Sequence, residues 1–346
     1  RGDAQPLGQG GRHVLHRVNG DVDGAGNQDP ATRQVLKDAF KYDASAPAPV
    51  THRIEGPLGE DGKHYTGTIT VTLTATDTHS GLSGFHYQVM GQPIVTTTVS
   101  GAPITAGHSF NLLYESSRKE LFYWASDAAG NVASKTGPIT LYFDPEAPDS
   151  PSKLYVTPEQ WSRINSFALK WTNPWDYAGI GAAYYKMGSP PTANDDGQLR
   201  PLSPGQAEIH GLTVEEEGET PVYVWLKDKA GNVDYTTAIS VPLRYDITPP
   251  VTTMTATGTT RNSYYITPVN IQFAAEDPGE VATAGVMHIA YRIDANGVEG
   301  EWQIWDGENV VLYQDGTYTV HYYSVDLAQN VEITQSKLFK VDLHAP

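Results

Sequence analysis

Polar and apolar residues alternate along much of this chain in short bursts. Thr72-Leu-Thr-Ala-Thr, Ala168-Leu-Lys-Trp-Thr and Ile271-Gln-Phe each place apolar side chains at every second position. A period of two is the mark of a strand with one buried and one wet face. Turn residues punctuate these bursts every 8–12 residues or so, and Gly 33, Pro 24 and Tyr 20 complete a composition that favours many strands, many turns and few helices.

The bursts recur in register. Trp124-Ala-Ser-Asp127-Ala-Ala-Gly-Asn131-Val, Trp225-Leu-Lys-Asp228-Lys-Ala-Gly-Asn232-Val and Tyr323-Ser-Val-Asp326-Leu-Ala-Gln-Asn330-Val are three copies of one hairpin. Their aspartates lie 101 (228 − 127) and 98 (326 − 228) residues apart. Gly supplies the positive φ that such a turn requires, and the Asp and Asn side chains can cap its free amides. An earlier motif, a strand ending in Asp followed by a Gly-containing turn and a Tyr-bearing strand, gives Asp77, Gly81 and Tyr87; Asp176, Gly179 to Gly181 and Tyr184; and Asp277, Gly285 and Tyr291. From this Asp to the hairpin Asp is 50 (127 − 77), 52 (228 − 176) and 49 (326 − 277) residues.

A third motif closes each unit: Phe40-Lys-Tyr-Asp43-Ala-Ser-Ala-Pro47, Leu141-Tyr-Phe-Asp144-Pro-Glu-Ala-Pro148, Leu243-Arg-Tyr-Asp246-Ile-Thr-Pro-Pro250 and Phe339-Lys-Val-Asp342-Leu-His-Ala-Pro346. Proline stops the strand and stiffens the connection that follows. The expected boundaries are 44–146, 147–248 and 249–346, each about the size of a two-sheet antiparallel sandwich. The fold class expected is all-β, a tandem of immunoglobulin-like antiparallel β-sandwiches.

The three motifs together resemble the bacterial immunoglobulin-like (Big-type) tandem repeat domains of extracellular surface proteins and adhesins, over residues from about 44 to 346. The resemblance implies a secreted or cell-surface location and a spacing, presenting or assembling role as a stalk, adhesin shaft or sheath element. Such modules are also appended to secreted polysaccharide-degrading enzymes, so an accessory or carbohydrate-binding region of a larger enzyme is the alternative.

Residues 1–43 read as the tail of a preceding unit, with Asp23-Gly-Ala-Gly-Asn27 in the place of the hairpin turn. Rival readings are a degenerate calcium loop followed by a short helix from Asp29-Pro30, or disorder. The strand-tail reading makes the chain a piece of a longer array whose open strand edges invite self-association with other copies. Arg1-Gly2-Asp3 is treated as chance.

Charge narrows the functions. Lys plus Arg is 23 and Asp plus Glu is 40, a net charge of −17, which argues against nucleic-acid backbones and is compatible with cation binding. With Cys 0 there are no disulfides, thiolate metal sites or Cys nucleophile. No apolar run reaches the length of a membrane span. No nucleophile elbow, phosphate loop, dinucleotide fingerprint or His-Glu-x-x-His is present. The recurring carboxylates sit in turns rather than in a cleft, so no catalytic role is expected.

Those carboxylates are the candidate site. In an end-to-end array the incoming linker, the first motif and the hairpin share one pole of each sandwich. This groups Asp43, Asp77 and Asp127; Asp144, Asp176 and Asp228; and Asp246, Asp277 and Asp326. Three carboxylates with nearby carbonyls suit Ca²⁺. Turn capping alone is the competing account. Trp124, Trp225 and Tyr323, repeated in place, are expected in the core, as is Trp171. The unrepeated Trp161, Trp175, Trp302 and Trp305 either line a platform for a cell-surface glycan or are partly buried at edges.

Overall fold

The computed structural model describes residues 41–279 and 281–344, so the expectations for residues 1–40 lie outside the described residues. The chain divides into two compact units, Arg1–Glu146 and Ala147–Pro346. The only helical element among the described residues is a 3-10 turn, Tyr235–Thr237.

The first unit contains β1 (Thr51–Glu55), β2 (His64–Tyr65), β3 (Ile69–Thr76), β4 (Leu82–Val89), β5 (Val95–Thr98), β6 (Thr105–Leu112), β7 (Ser117–Asp127) and β8 (Thr136–Phe143). They form one sheet in the order β1-β3-β6 and a second in the order β2-β8-β7-β4-β5. All pairings are antiparallel except the short β2–β8 contact. This is an immunoglobulin-like order, with the first, second and fifth main strands facing the rest. β3 alternates buried and wetter residues along its whole length. Its Ile69, Val71 and Leu73 meet Phe85, Leu121, Tyr123, Leu141 and Phe143 from the facing sheet. Each such side chain contributes about 1.5–3 kcal/mol on burial.

The second unit holds two sandwiches. The first has β9 (Ser152–Thr157), β10 (Phe167–Thr172), β11 (Ile180–Met187), β12 (Gln198–Pro201), β13 (Glu208–Leu212), β14 (Gly218–Asp228) and β15 (Ile239–Tyr245), in sheets β13-β10-β9 and β12-β11-β14-β15. Trp171 lies in its core, as expected, with its indole N–H donated to Asn173.

The other sandwich has β16 (Val251–Thr257), β17 (Thr260–Arg261), β18 (Tyr264–Tyr265), β19 (Val269–Glu276), β20 (Val286–Ala295), β21 (Gln303–Ile304), β22 (Val310–Leu312), β23 (Gly316–Asp326) and β24 (Gln335–Val341). Its sheets are β16-β19-β22 and β17-β18-β24-β23-β20-β21. The two sheets are also tied by a buried carboxylate. Glu332 accepts hydrogen bonds from the Thr252 amide and hydroxyl on β16 and from the Ser324 amide and hydroxyl on β23.

The repeated aromatics divide: Trp225 is buried as expected, whereas Trp124 and Tyr323 are only half-buried. Trp124, Trp225 and Tyr323 do not join the three central clusters, which take the alternate positions 121, 123 and 125; 222, 224 and 226; and 320 and 322. The hairpin Asp points inward, and a residue three positions earlier on a pleated strand must point the other way. Trp225 is nonetheless 0% exposed, because residues outside the strand fold over it.

Candidate functional site

Each hairpin turn is built by its own Asp and Asn. Asp127 Oδ1 accepts the Asn131 amide at 2.7 Å, and its Oδ2 accepts the Asn131 side-chain amide at 2.8 Å. Asp228 and Asn232 repeat this at 2.8 and 2.7 Å, and Asp326 and Asn330 at 2.8 and 2.8 Å. The positive φ falls on Gly130 and Gly231 as expected. In the third copy Gln329 occupies that conformation at φ 70°, a backbone region that side chains other than Gly seldom adopt. One isolated bridge closes each hairpin: Ser126 with Val132, Lys227 with Val233, and Val325 with Val331.

The glycine of the earlier motif joins the two loops. The amides of Gly81, Gly179 and Gly285 donate to Asp77, Asp176 and Asp277, at 2.7, 2.7 and 2.6 Å. Their carbonyls accept the amides of Ala128, Lys229 and Leu327, which follow the hairpin Asp. A β-carbon at Gly81 would lie 1.9 Å from the Ala102 carbonyl oxygen, so this position excludes any other residue.

Within the second unit, Asp246, Asp277 and Asp326 converge, each offering an oxygen within 4.8 Å of the others. Asp246 comes from the segment between the two sandwiches. Its Oδ2 accepts the Ala284 amide at 2.6 Å, and its carbonyl accepts the Asn330 side-chain amide at 2.9 Å. Asp246 and Asp326 are buried. Asp277 Oδ1 is also shielded from solvent, and it has no hydrogen-bond partner. Burial pushes the Asp277 carboxyl up, and the charges of Asp246 and Asp326 push it the same way. Two like charges at that separation repel by about 3–4 kcal/mol at an effective dielectric of about 20.

Within the first unit, Asp43, Asp77 and Asp127 converge under the same distance limit. Asp43 precedes β1, and its carboxylate accepts the amides of Ser45 and Ser80. Hydrogen bonding from the Ser80 side chain and the Ser45 amide holds the Asp43 carboxyl below its ordinary value. The Asn131 side chain donates to the Asp43 carbonyl at 3.1 Å. Among the described residues no lysine or arginine forms an ion pair with any of these six carboxylates.

The remaining three expected ligands are described in their own units. Asp144 in the first unit accepts the Ser116 hydroxyl at 2.6 Å. In the second unit, Asp176 caps Gly179, and Asp228 caps Gly231 as well as Asn232.

Outside these clusters the outer sheet faces carry the aromatics. Trp124 stacks with His86 at 5.5 Å, with Lys135 beside it. Trp225 stacks with Tyr184 at 5.4 Å and donates its indole N–H to the Asn194 carbonyl. Tyr323 meets Trp302 edge-on at 4.9 Å, and the Arg292 guanidinium lies over Trp302. Of the unrepeated tryptophans, Trp161 and Trp305 are half-buried, whereas Trp175 is 80% and Trp302 40% exposed. Trp175 lies between β10 and β11, and Trp302 and Trp305 flank β21. Glu332 carries no repeat signal, because the equivalent residues are Ala133 and Asp234.

No known family model matches this chain. No curated protein matches it either. Among solved structures, the crystal structure of chicken CNTN1 FN1-FN3 domains is 12% identical, covering 86% of this chain and 100% of that one with a TM-score of 0.26. The all-β, immunoglobulin-like tandem is defined by the strand orders themselves. No helix among the described residues is long and apolar enough to cross a membrane.

Proposed function

We propose that this chain is a non-enzymatic structural or adhesive protein of the cell exterior, a stalk, shaft or fibre element of Big-type modules stiffened by Ca²⁺. Asp246, Asp277 and Asp326 hold one ion, and Asp43, Asp77 and Asp127 hold another. Asp144, Asp176 and Asp228 occupy the same motif positions.

The observation that carries the reading is the buried Asp277 Oδ1. It lacks any donor, yet lies among two further carboxylates with no neutralising side chain. An orphaned buried acceptor is costly, and turn capping does not account for it. Carboxylate and carbonyl oxygens are hard ligands, the set Ca²⁺ takes, with water completing six to eight positions. Because Asp246 lies between the two sandwiches of the second unit, a bound cation there couples the connecting segment to two loops of the following sandwich.

The test is a titration of chelator-stripped protein with CaCl₂, followed by thermal unfolding and small-angle scattering. Micromolar to millimolar Ca²⁺ raises the unfolding temperature and narrows the spread of conformations, and Asp277→Asn removes the part due to the third cluster. An unfolding curve and scattering profile that ignore Ca²⁺ would end the calcium reading.

A further inference from the structure

The three sandwiches can be compared at one internal position. Tyr87, Tyr185 and Tyr291 are paired across the sheet with Tyr123, Val224 and Tyr322, each four residues before the hairpin Asp. The structural counterpart of Tyr87 and Tyr291 is therefore Tyr185, where the sequence suggested Tyr184. In the first sandwich the ring of Phe110 on β6 stacks on Tyr87 at 3.7 Å and 3°. In the third, Phe273 stacks on Tyr291 at 5.6 Å, and Trp305 closes against Phe273 at 5.8 Å. In both, an aromatic ring packs directly on the tyrosine.

In the second sandwich Ile209 takes the place of Phe110, and the Arg200 guanidinium lies over the Tyr185 ring at 5.5 Å. Among the described residues no aromatic ring stacks on Tyr185. The register of β13 slips between Ile209 and Leu212, and Gly211 takes φ +73° with open space where a β-carbon would project. Beside Tyr185 and Gly211 opens a cleft of about 860 Å³, within the roughly 300–1,000 Å³ range of small-molecule sites. Its floor is apolar and buried, formed by Tyr185, Leu212 and Val214. The Tyr185 hydroxyl is held at the mouth, donating to Gln198 Oε1 at 2.5 Å and accepting from Arg200 Nη2 at 3.1 Å. Glu215 and Glu216 stand exposed on the rim.

We propose that this cleft binds a short neutral oligosaccharide. The rim offers a guanidinium, an amide and two carboxylates, and such planar donors and acceptors match vicinal hydroxyls, which both donate and accept. The floor suits the C–H face of a sugar ring. An acidic ligand fits poorly, because the other cation at the cleft, Lys186, is already bound to Asp196 at 2.8 Å, and two carboxylates face the opening. The site is separate from the carboxylate clusters and does not depend on their occupancy.

The experiment presents the full chain to a glycan array carrying neutral, sialylated and uronate-containing oligosaccharides, and titrates the neutral hits by calorimetry. Neutral oligosaccharides bind; Arg200→Ala and Thr213→Trp each weaken binding about tenfold or more, and Trp302→Ala leaves it unchanged. Gln198→Ala, on an exposed strand, gives the same loss with an unaltered unfolding temperature, which separates loss of contacts from loss of fold. The proposal is overturned by an array with no neutral hits, by binding confined to acidic glycans, or by neutral binding that survives Arg200→Ala and Thr213→Trp.

Discussion

The second and third sandwiches carry the same three motifs and the same order of main strands, yet they bury different things. In the second, Trp225 lies under the segment between β11 and β12, and the cleft beside Tyr185 stays open. In the third, Tyr323 remains half-exposed, Trp305 packs edge-on against Phe273, and Glu332 ties the two sheets from inside. The hairpin and its Asp–Asn cage are indifferent to these choices. A shared turn motif fixes how strands connect. The segments between the third and fifth main strands decide which surface each sandwich presents.

Truncating the covered aromatic breaks this comparison most sharply. Trp225→Ala is expected to destabilise the second sandwich by about 3–5 kcal/mol, as for other fully buried tryptophans. Tyr323→Ala at the equivalent position costs about 1 kcal/mol, the value of an exposed aromatic pair. Residue-resolved hydrogen exchange reads each sandwich separately, and equal losses would contradict the distinction.

Calcium comes next. At one hundred times its dissociation constant the ion adds about 2.7 kcal/mol to whatever folded element it holds. Asp277→Asn abolishes that increment at the third sandwich. In chelator the same substitution is neutral or stabilising, because it removes one of three mutually repelling charges. A variant less stable than the parent in chelator would speak for a purely structural Asp277.

The internal tie of the third sandwich gives a smaller and pH-dependent effect. Burial pushes the Glu332 carboxyl up, but hydrogen bonds from Thr252, Gln335 and Ser324 outweigh it and hold the group below its ordinary value near 4.5. Its contribution is complete above pH 4.5 or so, and fades as pH falls through the lowered value in the folded state. Glu332→Ala leaves the Thr252 and Ser324 donors unsatisfied and costs about 2 kcal/mol at neutral pH. The gap between variant and parent closes on acidification, and a pH-independent gap would refute the charged form. Smallest is Gly211→Ala, expected to cost about 1 kcal/mol through its positive φ and to leave the cleft open. Urea midpoints of the second sandwich measure it.

The candidate carboxylates were legible because their motifs recur at one spacing, and side chains held by local turns land where the turn puts them. Asp277, Asp326 and Asp246 needed only the assumption of an end-to-end array to be grouped. The choice between Tyr184 and Tyr185 was not legible. Loops of different length separate Asp77 from Tyr87, Asp176 from Tyr185 and Asp277 from Tyr291, and a slip of one residue reverses the face. The direction of Trp124, Trp225 and Tyr323 was open to arithmetic, since an odd spacing from an inward Asp points a side chain outward. Repetition misled for Trp124 and Tyr323, and held for Trp225.

The all-β character, the three hairpins and the acidic residues at their turns are readable from the order of residues. All of these follow from periods and turn chemistry acting over a few residues. Only the tertiary structure decided that Trp225 is covered, that Glu332 bridges two sheets, that Asp277 keeps an oxygen without a donor, and that the cleft beside Tyr185 is open. Each depends on which distant segment arrives opposite, and no local pattern of polar and apolar residues encodes that arrival.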